Sequence, residues 1–420
     1  MSAPLYANDT SNDWLTPLRF GGLLGLLVLI AFPQIIFGLQ TFVARDFGYF
    51  GYPLANYFRE SFWRGEIPLW NPLNDCGIPF LAQWNTQVLY PPSLFYLLLP
   101  LSCSLGVFCL LHLWLGGMGM FFLARRWTGN NFAAAVAGII FAFNGLMLNS
   151  VLWPATIPGL GWMPWVVWLV ERAWRNGGRS LVVAAIVGAL QMLSGAAEVI
   201  MLTWGLLAAI VLGEILLGKG YRLSAFGDGQ ETSTDSQSPI ANRQIILRLG
   251  VVVLLITGLC AAQLLPFFEL LKNSNRQENF NAAQWAMPIS GLGNFLAPLF
   301  RCENPYGRVF LQHDQYWTSS YYVGITTIAL ALAAFSRRRN WRVWLLGALL
   351  VLCLLLALGD ATPIYKWASR AIKLLSVMRF PVKFVILPVF ILPLLAAVTV
   401  AKFSPSETTG GTSEKTLCPI

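Results

Sequence analysis

Charge is what this chain has least of. Only 11% of its 420 residues are Asp, Glu, Lys or Arg, against 56% hydrophobic. A soluble domain carries roughly 25% charged residues, so a water-facing surface of this size is excluded. Histidine is nearly absent, with two in the chain, His112 and His313, far apart in sequence. That pair does not make a zinc site. The seven cysteines form no CxxC pair, and no metal-ligand spacing follows from them. No Walker loop, no GxGxxG turn and no Ser-His-Asp spacing is present, which argues against ATP-driven transport and against triad hydrolysis. The apolar runs lack the strict alternation of outer-membrane barrel strands. No small-residue cleavage site follows the first apolar segment, Phe20–Phe42, so that segment reads as a retained span rather than a signal peptide.

What the chain has in quantity is apolar runs close to the ~20 residues a helix needs to cross the hydrocarbon core. Lone strands cannot satisfy their backbone groups in lipid. The expectation is therefore an all-α membrane protein with about ten spans, near 20–42, 105–124, 131–152, 158–171, 180–194, 197–217, 247–267, 319–336, 342–358 and 382–402. The run from Tyr90 to Leu101 is shorter and reads as an interfacial or half-membrane segment. The net charge of +9 fits basic residues at cytoplasmic helix ends better than nucleic-acid binding. Arg125 and Arg126, then Arg172, Arg175 and Arg179, then Arg337, Arg338, Arg339 and Arg342 fall in alternate short connections. The positive-inside tendency puts all three groups in the cytoplasm. Both termini then lie inside too.

A membrane domain over 1–403 is expected, with a flexible cytoplasmic tail over 404–420. A second polar stretch, 218–242, reads as a cytoplasmic linker. Three longer segments face outward: 43–104, 268–318 and 359–381. They are rich in aromatic residues, Pro and charge, and long structured loops of this kind usually carry function. In the first, Tyr49, Phe50, Tyr52, Leu54, Tyr57, Phe58, Phe62 and Trp63 suggest a helix lying at headgroup level. Cys76 and Cys302 fall in outer loops, where a disulfide would be tolerated.

Few residues in those segments suit chemistry. Asp46 follows the first span by about four residues. It suits a general base on an acceptor hydroxyl or a ligand for a divalent cation. From spacing alone the favoured reading is a solvated loop charge paired with Arg45. Glu198 lies between two apolar runs, where an ionisable group is costly and therefore a functional hypothesis. A carboxylate favoured by a helix N-terminus is the competing account. Glu269, Lys272 and Arg276 share one helical face at spacings of three and seven, as a salt-bridge ladder or as a site. Lys366, Arg370, Lys373, Arg379 and Lys383 break the positive-inside tendency. Basic groups outside, at membrane depth, suit a lipid phosphate or pyrophosphate, with general attraction to anionic lipid as the plainer reading. His313 and Asp314 sit side by side in an outer loop. The glycine clusters near residues 21–25 and 116–119 read as helix-packing positions.

Several motifs occur in a telling order: RDFGYFGYP at 45–53, GEIPLWNPLNDCGIPF at 65–80, YPPSLFY at 90–96, QLLPFFELLKNS at 263–274, YYVGITT at 321–327, LALGDATPIY at 356–365 and RFPVKF at 379–384. In these, over about residues 40 to 400, the chain resembles the YfhO family of bacterial membrane proteins, of the GT-C class of glycosyltransferases. The resemblance implies transfer of a sugar from a polyprenyl-phosphate donor on the extracytoplasmic face of the plasma membrane, typically with inversion, to a glycan, lipid or protein acceptor. It implies that Asp46, in the first outer loop, is the catalytic acid. Arg379 and Lys383 would hold the donor phosphate, with Arg276 a further basic candidate. Glu198 and Glu269 are the other acidic candidates. Asp46 would act on the acceptor hydroxyl either directly or with a divalent cation, Mg or Mn; no cofactor beyond that is expected. Where relatives often carry a Gly-His pair, this chain has Gly195 to Glu198. Two other functions remain alongside: a transporter or flippase of lipid-linked saccharide, which would need polar groups buried within spans, and a non-catalytic scaffold for envelope assembly.

Overall fold

The computed structural model describes residues 14–217, 242–274, 284–304, 309–336, 340–372, 375, 378 and 380–403. Helices form in all ten segments expected to be apolar spans, and α3 and α13 form in the connections; in chain order they are α1 (Pro17–Ala31), α2 (Pro33–Ile36), α3 (Tyr52–Trp63), α4 (Leu101–Thr128), α5 (Asn131–Phe143), α6 (Gly145–Ser150), α7 (Thr156–Asn176), α8 (Arg179–Leu193), α9 (Ala197–Leu217), α10 (Asn242–Lys272), α11 (Ile325–Ala333), α12 (Trp341–Ala357), α13 (Pro363–Ala371) and α14 (Ile386–Phe403). Four are long and apolar enough to cross a membrane: α4, α9, α10 and the run Pro381–Phe403 that contains α14. The remaining apolar helices are shorter.

Local chemistry explains why some spans come out shorter than their apolar runs. Thr16 caps α1, its Oγ1 accepting from Arg19 N at 3.4 Å, with Pro17 in the first turn. Pro33 then ends α1, because proline cannot continue the ladder. Asn144 breaks the run over 131–152 in two. Its Oδ1 accepts from Met147 N at 2.9 Å and caps α6, the competition with backbone that disfavours Asn inside helices. The span expected at 319–336 becomes helical only at Ile325. Residues before it stay out of the helix because their backbone is bonded elsewhere: Tyr322 O accepts from Gly145 N at 2.8 Å and Ser319 O from Asn294 Nδ2 at 3.2 Å.

α4 is the hub, packed on α5 and α7. Glycines make that closeness feasible. A Cβ on Gly138 of α5 would sit 2.8 Å from Gly117 O of α4, and one on Gly161 of α7 would sit 2.6 Å from His112 O. Two backbones therefore touch, the small-residue packing of membrane helices. α14 lies inside the bundle, with 89% of its apolar window covered by protein, whereas α10 has only 22% covered. α10 thus presents an apolar face outward, as a lipid-facing helix does.

The two ends of the bundle differ. At one end Glu171, Arg175, Glu214 and Arg342 form a network. Arg342 Nη2 is 2.8 Å from Glu171 Oε1 and 3.2 Å from Glu214 Oε2, and Arg175 Nη2 is 3.3 and 3.2 Å from the same two carboxylates. Trp127 Nε1 donates to Glu171 at 2.9 Å. Two of the three arginine groups singled out in the sequence thus meet here. Glu198 and Glu214 are sixteen residues apart on α9, about 24 Å along its axis at 1.5 Å per residue, so Glu198 marks the opposite end.

That opposite end gathers the long connections. Residues 43–100 fold into a π-helical turn (Phe47–Gly51), α3, a two-stranded hairpin (Trp70–Asn71 with Ile78–Pro79) and two 3-10 turns (Trp84–Thr86 and Pro91–Leu97). The aromatic helix does not simply float at headgroup level. Phe58 is buried and meets Phe62 and Tyr96, while Tyr49 and Trp63 stay exposed. The segment is pinned by hydrogen bonds in both directions: its Trp84 Nε1 donates to Met192 O at 2.7 Å and its Gln87 Nε2 to Ser194 O at 2.9 Å and Pro154 O at 3.2 Å, while Gln263 Nε2 of α10 donates to the segment's Leu81 O at 2.7 Å. Buried Tyr90 bonds His112 Nε2 at 2.6 Å and accepts from Trp162 Nε1 at 2.7 Å. His112 Nδ1 sits 2.7 Å from Phe108 O, so that nitrogen carries the proton and Tyr90 donates to Nε2. Cys76 and Cys302 are both free thiols; the disulfide tolerated by their loop positions is not formed.

Candidate functional site

The segment end of the bundle brings together groups that are far apart in sequence. Glu198 stands in the first turn of α9, following a tight reversal at Gly195. Gly195 has φ +83°, and a Cβ there would lie 2.5 Å from Trp84 O. The turn therefore needs glycine twice over, for its backbone and for the close seat of the 84–87 segment. Lys383 lies in a 3-10 turn, Pro381–Val385, that leads into α14. Its Nζ is 2.6 Å from Glu198 Oε1, with the two side chains 14% and 21% exposed. The ammonium also sits 5.7 Å from the Trp317 ring and 5.2 Å from the Phe380 ring, within cation–π range.

Trp317 links this pair to the first long segment. It stacks on Trp153, ring centroids 5.3 Å apart and 11° from parallel. Arg45 lies over the Trp153 ring at 5.5 Å. The same guanidinium donates through Nη1 to Trp317 O at 3.2 Å and through Nη2 to Tyr316 O. This fork onto two carbonyls is a geometry that arginine makes and lysine does not. Burial pulls the Arg45 pKa below its ordinary value, and the neighbouring Asp46 carboxylate pulls it back up. Arg45 itself holds φ +56°, a left-handed conformation costing a non-glycine residue ~1–2 kcal/mol. Among the described residues seven more non-glycine positions share positive φ: Asp75, Cys76, Gln87, Trp285, Leu299, Arg301 and Asp314. All eight lie in the two long segments, and strain of this kind concentrates at functional sites.

Asp46 heads the π-helical turn and is exposed. It thus stands at the rim, one residue from the clamp that Arg45 makes, while Glu198 and Lys383 sit half-buried behind Trp317. Glu269 is elsewhere, exposed in the last turn of α10. Among the described residues no ion pair joins it to Lys272, so the ladder over 269–276 is not made in its described part. Arg276, Arg379 and Lys373 lie outside the described residues. Lys366 is engaged with Asp360 at 3.6 Å on the surface, and exposed His313 with Asp314 at 3.0 Å. Among the described residues no group of three or more His, Cys, Asp or Glu side chains is assembled to hold a metal ion.

Sequence reasoning missed Trp153, Trp317 and the clamping role of Arg45. Trp153 and Trp317 are only 6% and 7% exposed. Tryptophans close to span ends are common as interfacial anchors, and nothing in their spacing says that these two stack on each other. Comparison with known proteins returned no matching family model, no matching curated protein and no matching solved structure. The fold itself defines the class: a mostly helical protein of membrane type, with four helices among the described residues long and apolar enough to span.

Proposed function

We propose that the chain is an extracytoplasmic glycosyltransferase of the bacterial plasma membrane that takes its sugar from a polyprenyl-phosphate carrier. In this reading all ten apolar segments cross the bilayer, the arginine network faces the cytoplasm with both termini, and the site of Asp46, Arg45, Glu198 and Lys383 faces outward. The reading is supported by the pairing of Lys383 with Glu198, its ammonium flanked by the rings of Trp317 and Phe380, and by Arg45, which ties exposed Asp46's loop to the same Trp317. Lysine acts on a phosphate as a point charge. An exposed aspartate within reach of an incoming acceptor suits a general base.

The chemistry is one displacement. The acceptor hydroxyl gives its proton to Asp46 as its oxygen bonds to the anomeric carbon. The bond from that carbon to the phosphate oxygen breaks, and the electron pair leaves with the polyprenyl phosphate. Lys383 meets the charge that develops there, a preorganised interaction of the type that dominates such catalysis. Arg45 does not touch substrate; it fixes the loop that carries Asp46.

A flippase draws on polar residues buried among helices. Here Gln191 donates to Gly159 O and Thr203 Oγ1, Gln263 donates to Leu81 O, and His112 uses both ring nitrogens. Those groups serve packing, which favours the transferase. The test is sugar incorporation into envelope polymers in cells lacking the protein, complemented with wild type or Asp46→Asn at equal membrane level. Wild type restores one sugar and the variant does not. Full restoration by the variant removes Asp46 from catalysis and returns the choice to transport or scaffolding.

A further inference from the structure

We infer that Glu198 is not a second catalytic acid but an exchangeable counter-ion, which holds Lys383 between turnovers, gives way to the carrier's phosphate, and expels the spent carrier by re-pairing. This rests on the reading that Lys383 takes the donor phosphate. The geometry is the starting point. At 2.6 Å Glu198 already occupies the side of Lys383 Nζ that an anion would take, and the ring faces of Trp317 and Phe380 flank the same ammonium. A phosphate arriving at the same ammonium meets the carboxylate at short range, and the repulsion between the two anions sets them in competition.

The ion pair is half-buried, not sealed: 14% of Lys383 and 21% of Glu198 are exposed. A pair in that setting is strong enough to hold the lysine and weak enough to exchange, whereas a fully buried pair is broken only at great cost. Exchange also treats the two ends of the reaction differently. The sugar-bearing carrier is a phosphodiester with one negative charge. The spent carrier is a monoester, whose second ionisation near pH 6 brings it to about −1.5 to −2 at pH 7, so it would cling to Lys383 more firmly than the donor did. A carboxylate tethered beside the lysine offsets that and speeds release. Glu198 can do this because α9 holds it in place, and because Gly195 and the 84–87 segment fix where α9 begins.

The experiment uses the full chain purified in detergent. Binding of farnesyl phosphate, which carries the headgroup of the spent carrier, is measured by calorimetry, with farnesol as the uncharged control and inorganic phosphate as the lipid-free one. Glu198→Gln keeps the side-chain shape and removes the competing charge. It is expected to bind farnesyl phosphate about tenfold tighter than wild type, the change that ~1.4 kcal/mol of lost competition gives, with farnesol unchanged. Glu198→Asp, which keeps the charge on a shorter arm, is expected to fall between them, and it carries the test if Glu198→Gln folds poorly. Lys383→Met loses the phosphate-dependent part of binding, and adding Glu198→Gln to it restores nothing. If inorganic phosphate also tightens in Glu198→Gln, the exchange reads phosphate from any source; if only farnesyl phosphate does, the lipid is required; both support exchange. If Lys383→Met weakens binding but neither Glu198 variant tightens it, the exchange is refuted and the donor site stands. If Lys383→Met binds like wild type, the donor site itself falls, and the exchange with it.

Discussion

Replacing Arg45 by lysine separates charge from geometry at the rim of the site. The substitution keeps a cation beside Asp46 but removes the planar fork that reaches Tyr316 O and Trp317 O together. A lysine reaches one carbonyl at best. The loss is then one charge-assisted hydrogen bond, ~1.5–3 kcal/mol, plus part of the stacking over Trp153, ~0.5–1 kcal/mol. The left-handed backbone at residue 45 costs both side chains alike and cancels. Side-chain relaxation and water recover some of this, leaving about 2 kcal/mol against docking of the 309–322 segment, or about 30-fold in its opening equilibrium. Hydrogen exchange reads that locally. The Trp317 and Thr318 amides donate to Gln315 Oε1 at 2.6 and 2.9 Å, and their protection is expected to fall about 30-fold, while amides in α4 keep theirs. Transfer activity falls with it, because the loop bearing Asp46 loses its anchor. Unchanged protection at Trp317 and Thr318 would refute the clamp and with it the account of how Asp46 is held.

The other end of the bundle gives a separate prediction. Glu171 is buried between two arginines, so Glu171→Gln leaves Arg175 and Arg342 to share the more exposed Glu214 and destabilises the protein by ~2–3 kcal/mol, read as earlier unfolding in a detergent thermal melt; a melt equal to wild type contradicts this. Gly195→Ala adds a Cβ 2.5 Å from Trp84 O at a positive φ, and is expected to cost ~2 kcal/mol or more with a lower folded yield, whereas Gly22→Ala, with open space around it, leaves the yield alone. Exposed Cys76 is expected to react with a membrane-impermeant maleimide in intact cells, the label vanishing in part with Cys76→Ser, while buried Cys109, Cys260 and Cys353 stay unlabelled; labelling of Cys76 only after lysis would invert the proposed orientation.

How much of this is legible in sequence depends on the range of the interaction responsible. Ten helical segments followed from apolar length alone, because a backbone in lipid has no other partner than itself. The glycines at 116–119 followed from residue size, and they do sit where α4 touches its neighbours. The ends of several spans did not follow from hydropathy. Asn144 and Pro33 cut apolar runs by hydrogen bonding and ring geometry, and Tyr322 is kept out of a helix by a bond to Gly145, 177 positions away.

The sites divide in the same manner. The acids and bases worth testing were visible because a charge is conspicuous in a chain with so few of them. Their partners were not. Glu198 and Lys383 are 185 residues apart, Arg342 and Glu171 are 171 apart, and Arg45 reaches Tyr316 and Trp317 across more than 270. Sequence alone determined that this chain has too little charge to face water, that its helices are apolar, and which few ionisable groups stand at their ends. Tertiary structure decided which of those groups meet. Contact energies between side chains depend on distances of a few ångströms, and helix packing sets those distances where local spacing cannot.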